Sequence, residues 1–421
     1  MTPKKERFIC DLPWTHLSVH PHGNASICCV ADHSHPQSTA ADKNENGEYV
    51  HIHKITNGIP KIINSDTYKD IRKAMIEGER PPACSTCWKV EDAGGRSKRI
   101  RDSYIFPDVD KITKPDGSID VDLSNIEVRL GNYCNLKCRS CNAESSTSWI
   151  DDYYKLRNKV PLPSGYDRLK NSEHVTYDWV EDEKFYDDLI KNSPNIEQLH
   201  ISGGEPFLVP KHFYLLDKLI EDGLAENIKI FYITNANYNF DKLRPALYKL
   251  TKFKEVYISF SVDDVGDRNT YIRSLSNWKL TIDNIKKFVD EYPTFWYTVT
   301  QTLNAFNFLY FEELTQFLVK EGLYKFDGNG HIKNIITNHV HSPEYQNATV
   351  LPLDVRRSKI DSVKGLVAPH YFEDIHGRYY DAKSNNQMEL FKKVTDEVDK
   401  VRRESISEIF PKLYKEITNI L

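Results

Sequence analysis

The stretch RLGNYCNLKCRSCNAES, residues 129–145, places Cys134, Cys138 and Cys141 within eight positions of a chain that has only eight cysteines. It follows a β-prone apolar run, Ile126–Leu130, so the three thiols open the loop after a strand. A structural zinc takes four ligands in a closed tetrahedron, whereas this loop supplies three and leaves a metal position open. On a 4Fe-4S cluster, three cysteines leave one iron free to bind a substrate or cofactor directly. Loops after the strands are also where β/α barrels build their active sites. Ligand count and position point the same way.

The other cysteines are Cys10, Cys28, Cys29, Cys84 and Cys87, and none follows Cys141. At such spacings in a reducing compartment they read as metal ligands rather than disulfides. At 421 residues, with 39% apolar and 28% charged residues and a formal charge of −5, the composition is that of an ordinary globular protein, with no pull toward nucleic acid. No run approaches the ~18 apolar residues of a spanning helix, and MTPKKERFIC leads no apolar segment. The expected location is the cytoplasm, with no membrane partner.

Outward from the loop, β-prone runs alternate with helical patterns, as in successive β-α units. The predicted strands are Ile126–Leu130, Ile196–Ile201, Ile228–Ile233, Glu255–Val262, Phe295–Leu303 and Ile332–Ile336. Helical spacing covers Ala143–Arg157, Trp179–Lys191, Phe213–Asp222, Asp241–Leu250, Trp278–Glu291 and Phe311–Glu321. Parallel strands buried on both faces should be almost continuously apolar, and IKIFYI and VYISFSV fit. The expected fold is α/β: a partial (β/α)6 TIM-like barrel over 120–340, after a small Cys-rich domain over 1–110 and before a mainly helical extension over 341–421. In that extension a helix starts near Gln387, and Pro411 is expected to kink a second helix or open its first turn. The pair reads as a cover for the barrel, with a dimer contact as the alternative.

CNLKCRSC, residues 134–141, resembles the C-x-x-x-C-x-x-C hallmark of radical S-adenosylmethionine (SAM) enzymes. The resemblance implies a 4Fe-4S cluster on Cys134, Cys138 and Cys141 whose free iron chelates the amino and carboxylate groups of SAM. One electron then cleaves the sulfonium to a 5′-deoxyadenosyl radical, which abstracts a substrate hydrogen. Later strand ends carry matching elements. Gly203, Gly204 and Glu205 in HISGGEPFL resemble the element that meets the SAM ammonium. Asn235, in YITNAN, falls at the barrel mouth. Ser259, Ser261 and Asp263 in ISFSVDD resemble ribose-contacting positions, and Arg273 in YIRSLSNW an arginine for the SAM carboxylate. A carboxylate suits an ammonium, a guanidinium a carboxylate, and small hydroxyls a ribose. Ser140 departs from the pattern, since an aromatic or large residue usually precedes the last cysteine. No general acid or base is assigned, because the cofactor carries the chemistry.

The front segment, with C-x-x-P-W at Cys10, a Gly-containing hairpin, Cys28-Cys29 and C-x-x-C-W at Cys84, resembles the auxiliary iron–sulfur modules called SPASM and its short form, twitch. Five cysteines fall short of a two-cluster SPASM module, so one auxiliary 4Fe-4S cluster is implied, on Cys10, Cys28, Cys84 and Cys87 with Cys29 spare. Chemistry alone leaves Cys28 and Cys29 nearly interchangeable, and a zinc would also suit a four-cysteine cage. His16, His20, His22, His33, His35, His51 and His53 have no ligand spacing and read as surface residues.

The resemblance implies a radical SAM enzyme acting on a peptide or protein, served by a flavodoxin or ferredoxin electron donor. The alternatives are a small-molecule substrate such as a sugar or nucleotide, or a zinc-stabilised scaffold without catalysis. The basic run GGRSKRIRDS is short and is expected to pack between domains or line a channel rather than bind nucleic acid.

Overall fold

The computed structural model describes residues 8–31, 39–40, 58–92, 96–102, 108–162, 177–325 and 334–420. The polar stretch 41–50, Gly94 and Gly95 of the basic run, His33, His35, His51 and His53, and the start of the sixth predicted strand at Ile332 lie outside them. The strands are β1 His16–Val19, β2 Ala25–Ser26, β3 Thr39–Ala40, β4 Asn125–Leu130, β5 Gln198–Gly203, β6 Lys229–Thr234, β7 Glu255–Ser261, β8 Trp296–Leu303 and β9 Ile335–His339. From β4 to β9, helices separate the strands: Ile150–Leu156 and Glu183–Lys191, His212–Glu221, Phe240–Lys249, Trp278–Glu291, and Phe311–Lys320. This is the α/β alternation of a partial (β/α)6 barrel.

The chain divides into two compact units. The first comprises Met1–Tyr133, Thr176–Tyr232 and Leu243–Val256, the second Cys134–Val175, Ile233–Lys242 and Tyr257–Leu421. In the first, strand order is β3-β2-β1-β4-β5-β6. The front hairpin does not stand apart from the parallel strands: β1 pairs antiparallel with β2 and parallel with β4, His16 opposite Asn125. Being paired on both edges, β1 is an interior strand. His16 and His20 are consequently buried, at 2% and 8% exposure, which corrects the surface reading of these two histidines.

A second correction concerns strand faces. In β4 the inward residues Ile126, Val128 and Leu130 alternate with half-buried Glu127 and Arg129, and β7 alternates in the same way. Ile233 and Trp296 are 52% and 46% exposed. Helices therefore bury one face of these strands while the other stays partly open, so the continuous apolar run expected of doubly covered strands is not required.

Helix starts follow their caps. Asp182 accepts from Lys184 N, and Asn277 accepts from Leu280 N, satisfying amides that the first turn leaves unpaired. His212, fully buried at the start of its helix, is wedged between Val209 O, 2.6 Å from Nδ1, and Tyr232 Oη, 3.0 Å from Nε2. Burial lowers its pKa to about 4. Because the folded value lies below the unfolded one, this contribution is complete above pH 6.5 and is lost as pH falls toward 4. The loss amounts to about 3 kcal/mol over that window. Urea unfolding at pH 7 and pH 4.5 is expected to show it, and His212→Gln, which cannot titrate there, is expected to flatten the acid-side fall while lowering stability at pH 7.

In the second unit β7, β8 and β9 run parallel, Ser261 opposite Thr300 and Thr300 opposite Ile336. Four longer helices follow: Leu353–Ser362, Pro369–Tyr379, Met388–Arg402 and Pro411–Ile420. Phe391, Val394, Val398, Leu413 and Ile417 join Trp149, Tyr153 and Phe306 in one core. Pro411 opens its helix rather than kinking one, since the first turn has no use for its missing N–H.

Candidate functional site

The three-thiol loop belongs to the second unit, and its backbone is pinned from several directions. Ser148 Oγ donates to Cys134 O at 2.8 Å, Ser146 Oγ to Leu136 O at 2.5 Å, and Trp149 Nε1 to Cys138 O at 2.8 Å. Lys137 N donates to Ser274 O and Arg139 N to Ile272 O, at 3.1 and 2.7 Å, so the loop runs beside the segment that carries Arg273. Cys134 Sγ accepts from Leu136 N at 3.5 Å and from Asn235 Nδ2 at 3.8 Å, and Asn235 is itself held by Asn135 Oδ1 at 2.9 Å. Of the residues singled out from sequence, Asn235, Asp263 and Arg273 thus join the thiol loop in one unit. Arg273 Nη1 donates to the buried Asp263 Oδ2 at 3.1 Å, while Thr302 N donates to Asp263 Oδ1 at 2.8 Å. Asp263 is therefore an anchor for Arg273. Ser259, half-buried on β7, shares a 2.5 Å hydrogen bond with Thr300. Ser261, also half-buried, lies two residues on and so on the same strand face.

Electrostatics at the loop favour a cationic guest. Burial, with the neighbouring Cys138 and Cys134 sulfurs acting the same way, pushes the Cys141 thiol up to about 12. Burial also raises Cys138, with Arg273 opposing the rise. Burial works against the Arg273 charge, but the Cys138 sulfur and Asp263 outweigh it and hold the guanidinium protonated. Two sulfurs that discourage ionisation of the third fit a positively charged iron–sulfur core, which would relieve that repulsion. Among the described residues, no three His, Cys, Asp or Glu side chains are arranged around a single metal ion.

Gly203, Gly204 and Glu205 lie in the first unit. Gly203, at φ 131°, ends β5 so close to β4 that an added Cβ would sit 2.5 Å from Leu130 N; at Gly204 it would sit 2.2 Å from Tyr133 O. Glu205 N donates to the same Tyr133 O at 2.7 Å. The Glu205 carboxylate is fully buried and accepts from Phe207 N at 3.3 Å, capping the short turn Pro206–Leu208. These glycines let the chain after β5 press against the residues leading into the thiol loop.

The front cysteines also converge. Cys10, Cys28, Cys84 and Cys87 line one pocket with Met75, Trp88 and other apolar side chains, and with Lys98 and Arg99. Burial raises Cys28, and the nearby Cys29, Cys84 and Cys10 add to it; burial likewise raises Cys84, with Arg99 opposing. Arg99 is fixed by Glu91 at 2.6 Å and donates to Ile9 O at 2.9 Å. Cys29 does not line this pocket. Burial and the adjacent Glu127 carboxylate push its thiol up to about 11. A cage with four thiols and two cations fits an iron–sulfur cluster. The basic run's Lys98 and Arg99 thus face sulfur.

Comparison with known families agrees with this geometry. The family model described as Radical SAM superfamily matches residues 128–317, from β4 through the thiol loop and Arg273. Residues 128–317 are a radical SAM domain. The model described as an iron–sulfur cluster-binding domain, SPASM, matches residues 10–88 and so takes in all five front cysteines of this radical SAM protein. No curated protein matches it in sequence. Among solved structures, anSMEcpe with bound AdoMet is 13% identical over 56% of this chain and 60% of that one, with a TM-score of 0.37. Native anSMEcpe with AdoMet and the Cp18Cys peptide is 14% identical over 61% and 65%, also at 0.37. The Streptococcus suis protein SuiB bound to S-adenosylmethionine is 13% identical over 83% and 76%, at 0.28. The matches thus span less than two thirds of anSMEcpe.

The cofactors of this radical SAM protein are a 4Fe-4S cluster, SAM and auxiliary iron–sulfur. Sequence reasoning missed the charged residues around the thiol loop. Lys137 and Arg139 lie inside CNLKCRSC, but their partners come from helix Met388–Arg402 and from Asp152. Only the oddity of two cations within a cysteine motif hinted at them.

Proposed function

We propose that this radical SAM protein cleaves SAM reductively and uses the product to abstract a hydrogen from a peptide or protein substrate. The observation that carries the reading is the meeting of three thiols with a protonated, Asp263-held Arg273 in one unit. When bound, the cluster and SAM supply one-electron cleavage of the sulfonium to a hydrogen-abstracting radical. Cys134, Cys138 and Cys141 are the proposed ligands, with Asn235 donating to Cys134 Sγ. Arg273 would take the SAM carboxylate with no reorganisation, because Asp263 already fixes its fork. The backbone carbonyls of Gly203 and Gly204, with Glu205, are the proposed ammonium partners; Ser259 and Ser261 are proposed for the ribose. In the front module, Cys10, Cys28, Cys84 and Cys87 are the proposed auxiliary ligands and Cys29 is not. The proposed domains remain 1–110, 120–340 and 341–421.

The peptide class rests on the SPASM-type module, which the chain's resemblance ties to peptide maturation. A flavodoxin or ferredoxin is the proposed electron donor and the cytoplasm the proposed location. Among the described residues no helix is long and apolar enough to cross a membrane. Anaerobic incubation with SAM and reductant is expected to release 5′-deoxyadenosine in step with a mass change in a peptide fraction. A mass change confined to sugars or nucleotides would replace the substrate class, and no deoxyadenosine with a loaded cluster would end the enzymatic reading. Cys28→Ser is expected to lose about four irons, and Cys29→Ser none.

A further inference from the structure

The loop between Cys134 and Cys141 is held by the distant end of the chain. Arg139, between the last two thiols, is buried, and its Nη2 donates to both Asp399 and Glu404. Its Nε donates to Tyr271 O at 3.1 Å, and its guanidinium stacks 3.6 Å above the Tyr271 ring centroid. Tyr271 Oη in turn donates to Asp399 Oδ1 at 2.8 Å. Arg402, whose side chain is 1% exposed, reaches Asp152 Oδ2 at 2.7 Å and Ser274 Oγ at 2.8 Å. Asp152 Oδ1 also takes Lys137 Nζ at 3.0 Å. Three cations and three carboxylates thus form two ion-paired groups, Arg139 with Asp399 and Glu404, and Arg402 and Lys137 with Asp152, and two of the cations are loop residues.

We infer that Asp399, Arg402 and Glu404 form a positioning clamp which, through Arg139, Lys137 and Asp152, fixes the thiol loop and the Arg273 segment in mutual register. The clamp grips both at once. Arg139 and Lys137 belong to the loop, whereas Tyr271 and Ser274 flank Arg273, and the loop amides at 137 and 139 bond to the carbonyls of Ser274 and Ile272. Net stability is not its main yield, because a buried ion-pair network can be replaced by apolar side chains with little loss. What apolar packing cannot supply is a single arrangement: Arg139 has one pose in which its Nη2 meets two carboxylates, its Nε meets Tyr271 O and its plane meets the Tyr271 ring. Arg402 also stacks 4.4 Å from the Trp149 ring centroid, and Trp149 Nε1 donates to Cys138 O at 2.8 Å, so a buried cation stands one side chain away from the second thiol's backbone. A fixed cation there would stabilise the more negative, reduced state of a bound cluster. None of these clamp residues is proposed to touch SAM or substrate.

The inference rests on the thiol loop being a cluster site, and the experiment separates the two. Full-length Arg139→Met/Asp399→Leu/Glu404→Met keeps the volume without leaving a lone charge; Arg402→Gln is the milder change; Lys392→Gln, on a half-buried pair of the same helix outside the clamp, is the control. Amide exchange of the metal-free chain is read over residues 136–141 and over helix Trp278–Glu291. Both clamp variants are expected to exchange about tenfold or more faster in the loop, with the helix and the control unchanged. After anaerobic reconstitution they should retain less loop iron, and Arg402→Gln should shift the cluster's midpoint potential downward. Wild-type exchange and potential in both clamp variants would overturn the inference. If wild type takes up no iron on the loop, the cluster reading falls, and the exchange arm still decides the clamp. Should the triple variant fail to fold, Arg402→Gln carries the test.

Discussion

Alanine at Cys134, Cys138 and Cys141 together is expected to lower iron and sulfide from about eight to about four per chain after anaerobic reconstitution, and to abolish deoxyadenosine formation. The argument is local. The three thiols share one pinned loop, Cys138 and Cys134 add to the burial that raises the Cys141 thiol, and the nearby Arg273 is already committed to the charged form by Cys138 and Asp263. Removing the sulfurs leaves the loop's backbone anchors to Ser146, Ser148 and Trp149 intact, because these bonds use carbonyls of residues 134, 136 and 138 rather than side chains. The variant should therefore fold, and the front cage of Cys10, Cys28, Cys84 and Cys87 should keep its own iron. Zinc in the wild-type front cage, with four irons lost in the variant, would confine iron to the loop. Zinc throughout, with no labile sulfide, would remove the radical mechanism altogether.

Gly204→Ala is expected to be nearly as damaging although it removes no ligand. The new methyl would lie 2.2 Å from Tyr133 O and 2.6 Å from Tyr133 C, and both are backbone atoms that cannot swing aside as a side chain would. Tyr133 O already accepts from Glu205 N, and Gly204 N donates to Gly131 O at 3.2 Å. Relief of the clash must break one of these bonds or move the peptide that leads directly into Cys134. A cost of about 3 kcal/mol, the upper part of the range for overpacking, is expected in urea unfolding, together with impaired iron loading of the loop. Loss of stability with full, normal loading would show that the close approach serves packing alone.

Much of this was legible before any coordinates. The strand rhythm predicted β4 to β8 to within two residues, with β9 displaced toward its C-terminal end, and the cysteine spacing marked both sulfur sites. The predicted helix Trp278–Glu291 matches, helped by the Asn277 cap. What the sequence hid has physical causes. The burial of His16 and His20 depends on β1 being paired on both edges, and the partner strand β4 starts more than a hundred residues later. The alternation in β4 and β7 reflects an open strand face, which an apolar run in a short strand does not disclose. The capping bond that Glu205 accepts from Phe207 N was equally hidden, since it needs the short turn Pro206–Leu208 to form after β5.

The sequence by itself determined how many thiols there are, how they are spaced, and that the loop of three follows a strand in a β/α series. It did so because ligand spacing and hydrophobic period are local properties, written in neighbouring residues. Tertiary structure alone decided which member of the Cys28-Cys29 pair lines the front pocket and what neutralises Arg139. Adjacent side chains point different ways, so a pocket that only the returning residues Cys84 and Cys87 complete can admit one of them and not the other. Asp399 lies 260 positions from Arg139. Coulomb attraction between buried groups depends on distance in space, and only the folded chain sets that distance.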